Sequence, residues 1–322
     1  MNRIVWVDYY KAIAIFLIVL GHATLNETDL VDFLFTFHVP AFFFISGYLE
    51  RTDCCQTKEY LKKVIVSLVI PYFLWNILFL FFHLPLTVHN LLLMLCGVTR
   101  WNAASWFLMI LVIIKLNALL YKNKRYLLGA LLTVLLFALH FWGQHLPYLM
   151  DITFMFLPFF FAGMYGKTLI QKLLSAFRSK PFLLLTATAF LLSILILFYL
   201  HSPIVHTHTI IDFCSQFYLF WISGFLGVFV LLLFSQLFLK ASNKVVILIS
   251  TGTLFIMCSH YEVIKPVTSF LSHNNGDLIV LLFVFIYFLI QCLCLPVILK
   301  WAPILAGKKS ASRHSIQSGS RQ

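Results

Sequence analysis

Along the chain, apolar runs of 14 to 24 residues alternate with short polar breaks: 4–23, 33–49, 64–82, 105–121, 126–142, 152–165, 181–200, 216–239, 245–264 and 278–299. An α-helix rises 1.5 Å per residue, so about 20 apolar residues cross a hydrocarbon layer about 30 Å thick. A spanning segment must satisfy its own backbone polar groups, which makes each run a helix. The pattern predicts an all-α integral membrane protein, a bundle of about ten transmembrane helices filling residues 1–306 as one domain. A further apolar stretch, 91–98, is too short to span and is expected as a re-entrant or interfacial piece. Residues 307–322, rich in Ser, Gly, Lys and Arg, read as a disordered basic tail.

Composition agrees: of 322 residues, 61% are hydrophobic and only 11% charged, against about a quarter charged in soluble domains. No separate soluble domain fits. The first run carries Lys11 and is not followed by a small-residue cleavage site, so it is expected as a retained helix and not a signal peptide. A net charge of +12 would suggest nucleic acid if it formed one patch. Here the charge is dispersed, and nucleic acid is not an expected partner. Lys and Arg follow the second, fourth, sixth, eighth and tenth runs, while the alternate breaks hold only Arg100 and Lys265. Under the positive-inside rule both termini are cytoplasmic.

The first run holds the polar residues that most need explaining. A charge within a membrane helix is costly and by default marks function. Lys11 and His22 are eleven residues apart, about 16 Å of rise, near one helix face but at different depths. Asp8, three residues before Lys11, is placed to pair with it. A snorkelling lysine or a simple ion pair would also satisfy this geometry. His22 titrates near working pH and suits a general base at the outer end of the helix. His38 reaches the same side across a short loop, and His260 ends the ninth run with Glu262 two residues on, either to orient it or to face water. Eleven of the twelve histidines fall at or near the outer side, yet no ligand spacing supports a metal, and none is expected.

Asp8, Lys11 and Gly21-His22, followed by Phe37-His38-Val39-Pro40-Ala41-Phe42-Phe43-Phe44-Ile45-Ser46-Gly47-Tyr48, resemble the opening of the type 3 membrane acyltransferases. Within that family the chain is most similar to the fucose 4-O-acetyltransferase-like branch. Shorter matches follow in order: Ile70-Pro71-Tyr72-Phe73-Leu74-Trp75, Trp106-Phe107-Leu108, Phe159-Phe160-Phe161-Ala162-Gly163, and Thr253-Leu254-Phe255-Ile256 before His260.

The resemblance implies a ten-helix enzyme of the bacterial inner membrane. Such enzymes move an acyl group, usually acetyl from acetyl-CoA, to a hydroxyl of a cell-surface polysaccharide or its lipid-linked precursor. It implies Lys11 and Arg51 as donor-binding residues and His22 and His38 as catalytic ones; Asp8, Tyr48, Trp106, His260 and Glu262 are the candidates for contacting or orienting the substrate. Tyr48, Trp106 or His38 would donate to the thioester oxygen. Many members carry Arg where this chain has Lys11, which exchanges a bidentate clamp for a point charge. Membrane lipid and a glycan acceptor are the expected partners. The rival class is a transporter or glycan flippase with proton-relay residues.

Overall fold

A computed structural model describes residues 3–25, 29–50, 57–83, 87–99, 101–141, 146–176, 188, 192, 210–237, 241–274 and 276–308. Every regular element among them is helical. The elements are α1 (Val5–Gly21), α2 (Asp29–Phe35), α3 (His38–Tyr48), α4 (Thr57–Val64), a π turn (Ile65–Val69), α5 (Ile70–His83) and α6 (Val88–Leu95). There follow a 3₁₀ turn (Ala103–Ser105), α7 (Trp106–Lys122), α8 (Tyr126–His140), a 3₁₀ turn (Pro147–Leu149), α9 (Met150–Tyr165) and α10 (Lys167–Ala176). The last are α11 (Ile210–Leu237), α12 (Lys244–Asn274), α13 (Asp277–Trp301) and a closing 3₁₀ turn (Pro303–Ala306). Five helical stretches are long and apolar enough to cross a membrane: Thr57–Leu80, Ala103–Lys122, Pro147–Tyr165, Lys244–His273 and Asp277–Trp301. The predicted run 181–200 lies outside the described residues, apart from positions 188 and 192.

Several boundaries differ from the apolar pattern for identifiable reasons. Run 33–49 is broken at Thr36-Phe37, where Thr36 Oγ donates to the Phe33 carbonyl at 2.7 Å and α3 restarts with Pro40 in its first turn. Proline is tolerated there because those amides lack intrahelical partners anyway. The third run starts seven residues early, at Thr57, because the charged Thr57–Val64 stretch is amphipathic and continues the helix. Pro71 cannot donate to the carbonyls a turn behind it, and the chain meets that deficit with the wider π turn. Run 245–264 extends ten residues further, to Asn274, so His260 lies within a helix and not at its end. The Leu91–Val98 region contributes the eight-residue α6, capped by Thr87.

Two helix pairs frame the molecule. Gly47 of α3 and Gly163 of α9 let backbones touch: a methyl group on Gly47 would lie 1.9 Å from the Phe160 carbonyl oxygen, and one on Gly163 2.0 Å from that of Phe44. Small residues at such crossings permit close helix packing. α1 and α12 run parallel: Arg3 and Lys11 reach Ile247 and Ser250, His22 meets His260, and the Thr24 amide donates to Thr268 Oγ at 2.9 Å. α3 runs antiparallel to α1, with Tyr48 against Trp6 and His38 against His22. The two polar ends of α1 are thus built by the same neighbours at opposite ends of the bundle.

Candidate functional site

At the far end of α1, His22 lines a cleft of about 460 Å³ together with Thr24, Phe35, Trp106, Tyr261 and Lys265. Its ring lies 5.0 Å from that of His260, 6.2 Å from His38, 5.4 Å from Phe35 and 5.1 Å from Tyr261, centroid to centroid. His38 and His260 are fully buried behind it. His38 Nδ1 donates to the Leu34 carbonyl at 2.5 Å, and His260 Nδ1 to the Ile256 carbonyl at 3.2 Å. A carbonyl only accepts, so both rings carry the proton on Nδ1 and a bare lone pair on Nε2. Both Nε2 atoms are buried without a partner among the described residues. The cluster is therefore neutral and unsatisfied in hydrogen bonding, with acceptor nitrogens open to an incoming donor.

The 101–106 segment contributes Ala103, Ala104 and Trp106 to the cleft wall. Asn76 fixes it: its side-chain oxygen accepts from the Trp101 and Asn102 amides at 2.8 and 3.1 Å, and its nitrogen donates to Ser105 Oγ at 2.9 Å. Asn102 Nδ2 donates to the Cys258 carbonyl at 2.6 Å, two residues before His260. Glu262 Oε1 accepts from the Ala103 amide at 3.3 Å, so this carboxylate ties the wall to α12. Among the described residues, no three His, Cys, Asp or Glu side chains are arranged to hold a metal ion.

The near end is built differently. Arg3 Nε and Nη2 donate to the two Asp8 carboxylate oxygens at 2.6 and 2.9 Å, and Ser250 Oγ donates to Asp8 at 2.6 Å. Arg3 also donates to the Ile247 carbonyl and Thr251 Oγ, both at 3.2 Å. Asp8 is thus engaged by Arg3, not by Lys11, whose ammonium donates to the Ser250 carbonyl. The bidentate guanidinium outcompetes a point charge for a carboxylate. A second cluster at this end centres on buried Glu50, whose carboxylate accepts from Lys115 and Lys122 while its carbonyl accepts from Lys167. Burial alone would raise the Glu50 carboxyl, but Lys115 and Lys122 hold it below the usual glutamate value.

The structure thus brings His22, His38, His260, Trp106 and the Glu262-anchored wall together, and keeps Lys11 and Asp8 at the other end of α1. Tyr48 packs its ring 4.9 Å from Trp6, sixteen residues or about 24 Å of helix rise from His22. It therefore stands apart from Trp106 and His38, with which it was grouped as a donor to the thioester oxygen. Arg51 lies outside the described residues. Sequence reasoning missed Arg3, Glu50, Asn76, Asn102 and Lys265. Only Lys265 carried a signal, as a lone cation in an outer break.

The chain's relatives are defined at family level. The acyltransferase 3 family model, described as an acyltransferase domain, matches residues 4–299, and the chain belongs to that family. No curated protein and no solved structure matches it. The protein is accordingly an acyltransferase of multi-pass, helical membrane character.

Proposed function

We propose that this acyltransferase transfers acetyl from cytoplasmic acetyl-CoA to a hydroxyl of a cell-surface polysaccharide or its lipid-linked precursor, as in the fucose 4-O-acetyltransferase-like branch. In this reading it sits in a bacterial inner membrane with about ten spans and cytoplasmic termini. The observation that carries it is the division of α1: cation-rich at the Lys11 end, and at the His22 end a cleft lined by His22 and backed by the bare imidazoles of His38 and His260. The charged end suits the phosphates of a coenzyme A donor, and the imidazole end suits a hydroxyl acceptor.

His22, on the cleft wall, takes the acceptor hydroxyl proton as the oxygen attacks the thioester carbonyl carbon. The tetrahedral intermediate collapses, the carbon–sulfur bond breaks, and the departing thiolate receives the proton from His22. The Trp106 indole N–H, on the same wall, is a candidate donor to the developing oxyanion. His38 and His260 stand beside it with their Nε2 lone pairs open.

Comparison of surface glycans from cells with and without the gene, by mass and NMR, tests the reading. Loss of one acetyl ester per repeat is the expected result. Identical glycans, together with glycan transport by purified protein without any acyl donor, would sink it.

A further inference from the structure

The chain does not simply leave the bundle after α13. Residues 303–308 turn back and pack on it: the Trp75 indole N–H donates to the Leu305 carbonyl at 3.0 Å, Ala306 is buried, and the Lys308 amide donates to the Pro303 carbonyl at 2.9 Å. Gly307 adopts φ +68°, and a side chain there would lie 2.6 Å from the Ser67 carbonyl oxygen and 3.0 Å from Leu254. Ser67 lies in the π turn that Pro71 makes necessary, so the motif residues Pro71 and Trp75 both serve to seat this returning segment. π turns recur at functional sites.

The returning segment delivers a cation. Ser67 Oγ donates to the Lys63 carbonyl one turn earlier on α4. On α12, Leu254 lies one turn above Ser250, which holds Lys11. Lys308 thus comes close enough to Lys63, Lys11 and Arg3 for each of these charges to be felt across the pair. Asp8, the carboxylate that Lys11 feels, is already taken by Arg3 and Ser250. Among the described residues, neither the Lys63 nor the Lys308 ammonium has a hydrogen-bond or ion-pair partner. The Lys308 ammonium is held below the usual lysine value by partial loss of water and by the charges of Arg3 and Lys63. Converging cations with spare valences are favourable only when an anion joins them.

We propose that Arg3, Lys63 and Lys308 complete, with Lys11, a cradle for the phosphate groups of the acyl donor, with the returning segment 303–308 as its floor. The assignment rests on the donor reading above and extends it to residues outside the first helix.

Full-length protein in nanodiscs of phosphatidylcholine, with or without phosphatidylglycerol, would be titrated with coenzyme A and separately with inorganic pyrophosphate. The double variant K63A/K308A is expected to weaken coenzyme A binding at least tenfold, and K63R/K308R to restore it. Both positions are exposed, so the variants fold. Coenzyme A affinity unchanged in K63A/K308A would overturn the cradle while leaving the donor reading intact. Pyrophosphate binding lost in the variant, with no coenzyme A binding by the wild type, would keep a phosphate cradle and remove the donor. Variant effects seen only with phosphatidylglycerol would assign these lysines to lipid headgroups and overturn the proposal.

Discussion

The two ends of α1 solve the problem of polar groups inside an apolar bundle in opposite ways. At the Arg3 end, charge is answered with charge: Asp8 is held by Arg3 and Ser250, and Glu50 by Lys115 and Lys122. At the His22 end neutral rings are pinned through one nitrogen to backbone carbonyls, and the other nitrogen is left open. A group already paired is poor at chemistry, because reaction must first break the pair. A buried lone pair with no partner costs stability and stays open to an incoming hydrogen-bond donor. On the proposed function, the difference assigns the charged end to scaffold and donor binding and the imidazole end to chemistry.

If that division holds, the largest effect lies at the imidazole end. His22→Ala should lower turnover about 10²–10⁴-fold, the usual worth of general acid–base catalysis, while donor affinity stays within a factor of two or so by the same reasoning. Steady-state assays varying each substrate check this. A rise in donor KM with unchanged turnover would reverse the two ends.

Next comes Glu50→Gln, which should leave turnover per folded molecule intact but destabilise the protein. It leaves Lys115 and Lys122 without their shared carboxylate, a loss of about 3–5 kcal/mol for a broken buried pair. Thermal unfolding in detergent reads this. Because the Glu50 carboxyl is held below its usual value in the fold, its contribution is present above the unfolded glutamate value of about 4.3 and is lost as pH falls through the folded one. Stability of the wild type should therefore drop on acidification below about pH 4, and E50Q should lack that drop.

Much of this arrangement was legible in the residues. The spacing of Lys11 and His22 placed them at different depths of one helix, and the gathering of His22, His38 and His260 on one side followed from run lengths and alternating direction. What the runs could not show is long-range pairing. Asp8 sits at helical spacing from Lys11, yet Arg3, outside the apolar run, reaches both carboxylate oxygens. Glu262 lies two residues from His260 in sequence, and one of its carboxylate oxygens accepts from the distant Ala103 amide. Trp75 and Pro71 read as a short aromatic match, and their use emerges only when residues 303–308 return to them. Gly307, assigned by composition to a disordered tail, is packed for the same reason. Short helical spacing is visible in a sequence, whereas contacts between residues 3 and 251, or 75 and 305, are not.

The smallest expected effects sharpen the cationic end itself. Lys11→Ala removes a charged contact of about 1.5–3 kcal/mol, so donor KM should rise roughly 10- to 100-fold with turnover little changed. Lys11→Arg should retain binding, because the guanidinium also grips phosphate. Ionic strength separates charge from shape without any mutation. Raising salt from 0.1 to 1 M shortens the screening length from about 10 Å to about 3 Å. Exposed Arg3, Lys63 and Lys308 would then contribute far less to donor binding, and donor KM should rise several-fold. If the His22 cleft takes the acceptor hydroxyl through neutral rings, as proposed, acceptor KM should stay flat for an uncharged acceptor. If acceptor KM rises in parallel with donor KM, Lys265 on the cleft wall also draws the acceptor by charge, and the contrast between the two ends is one of degree.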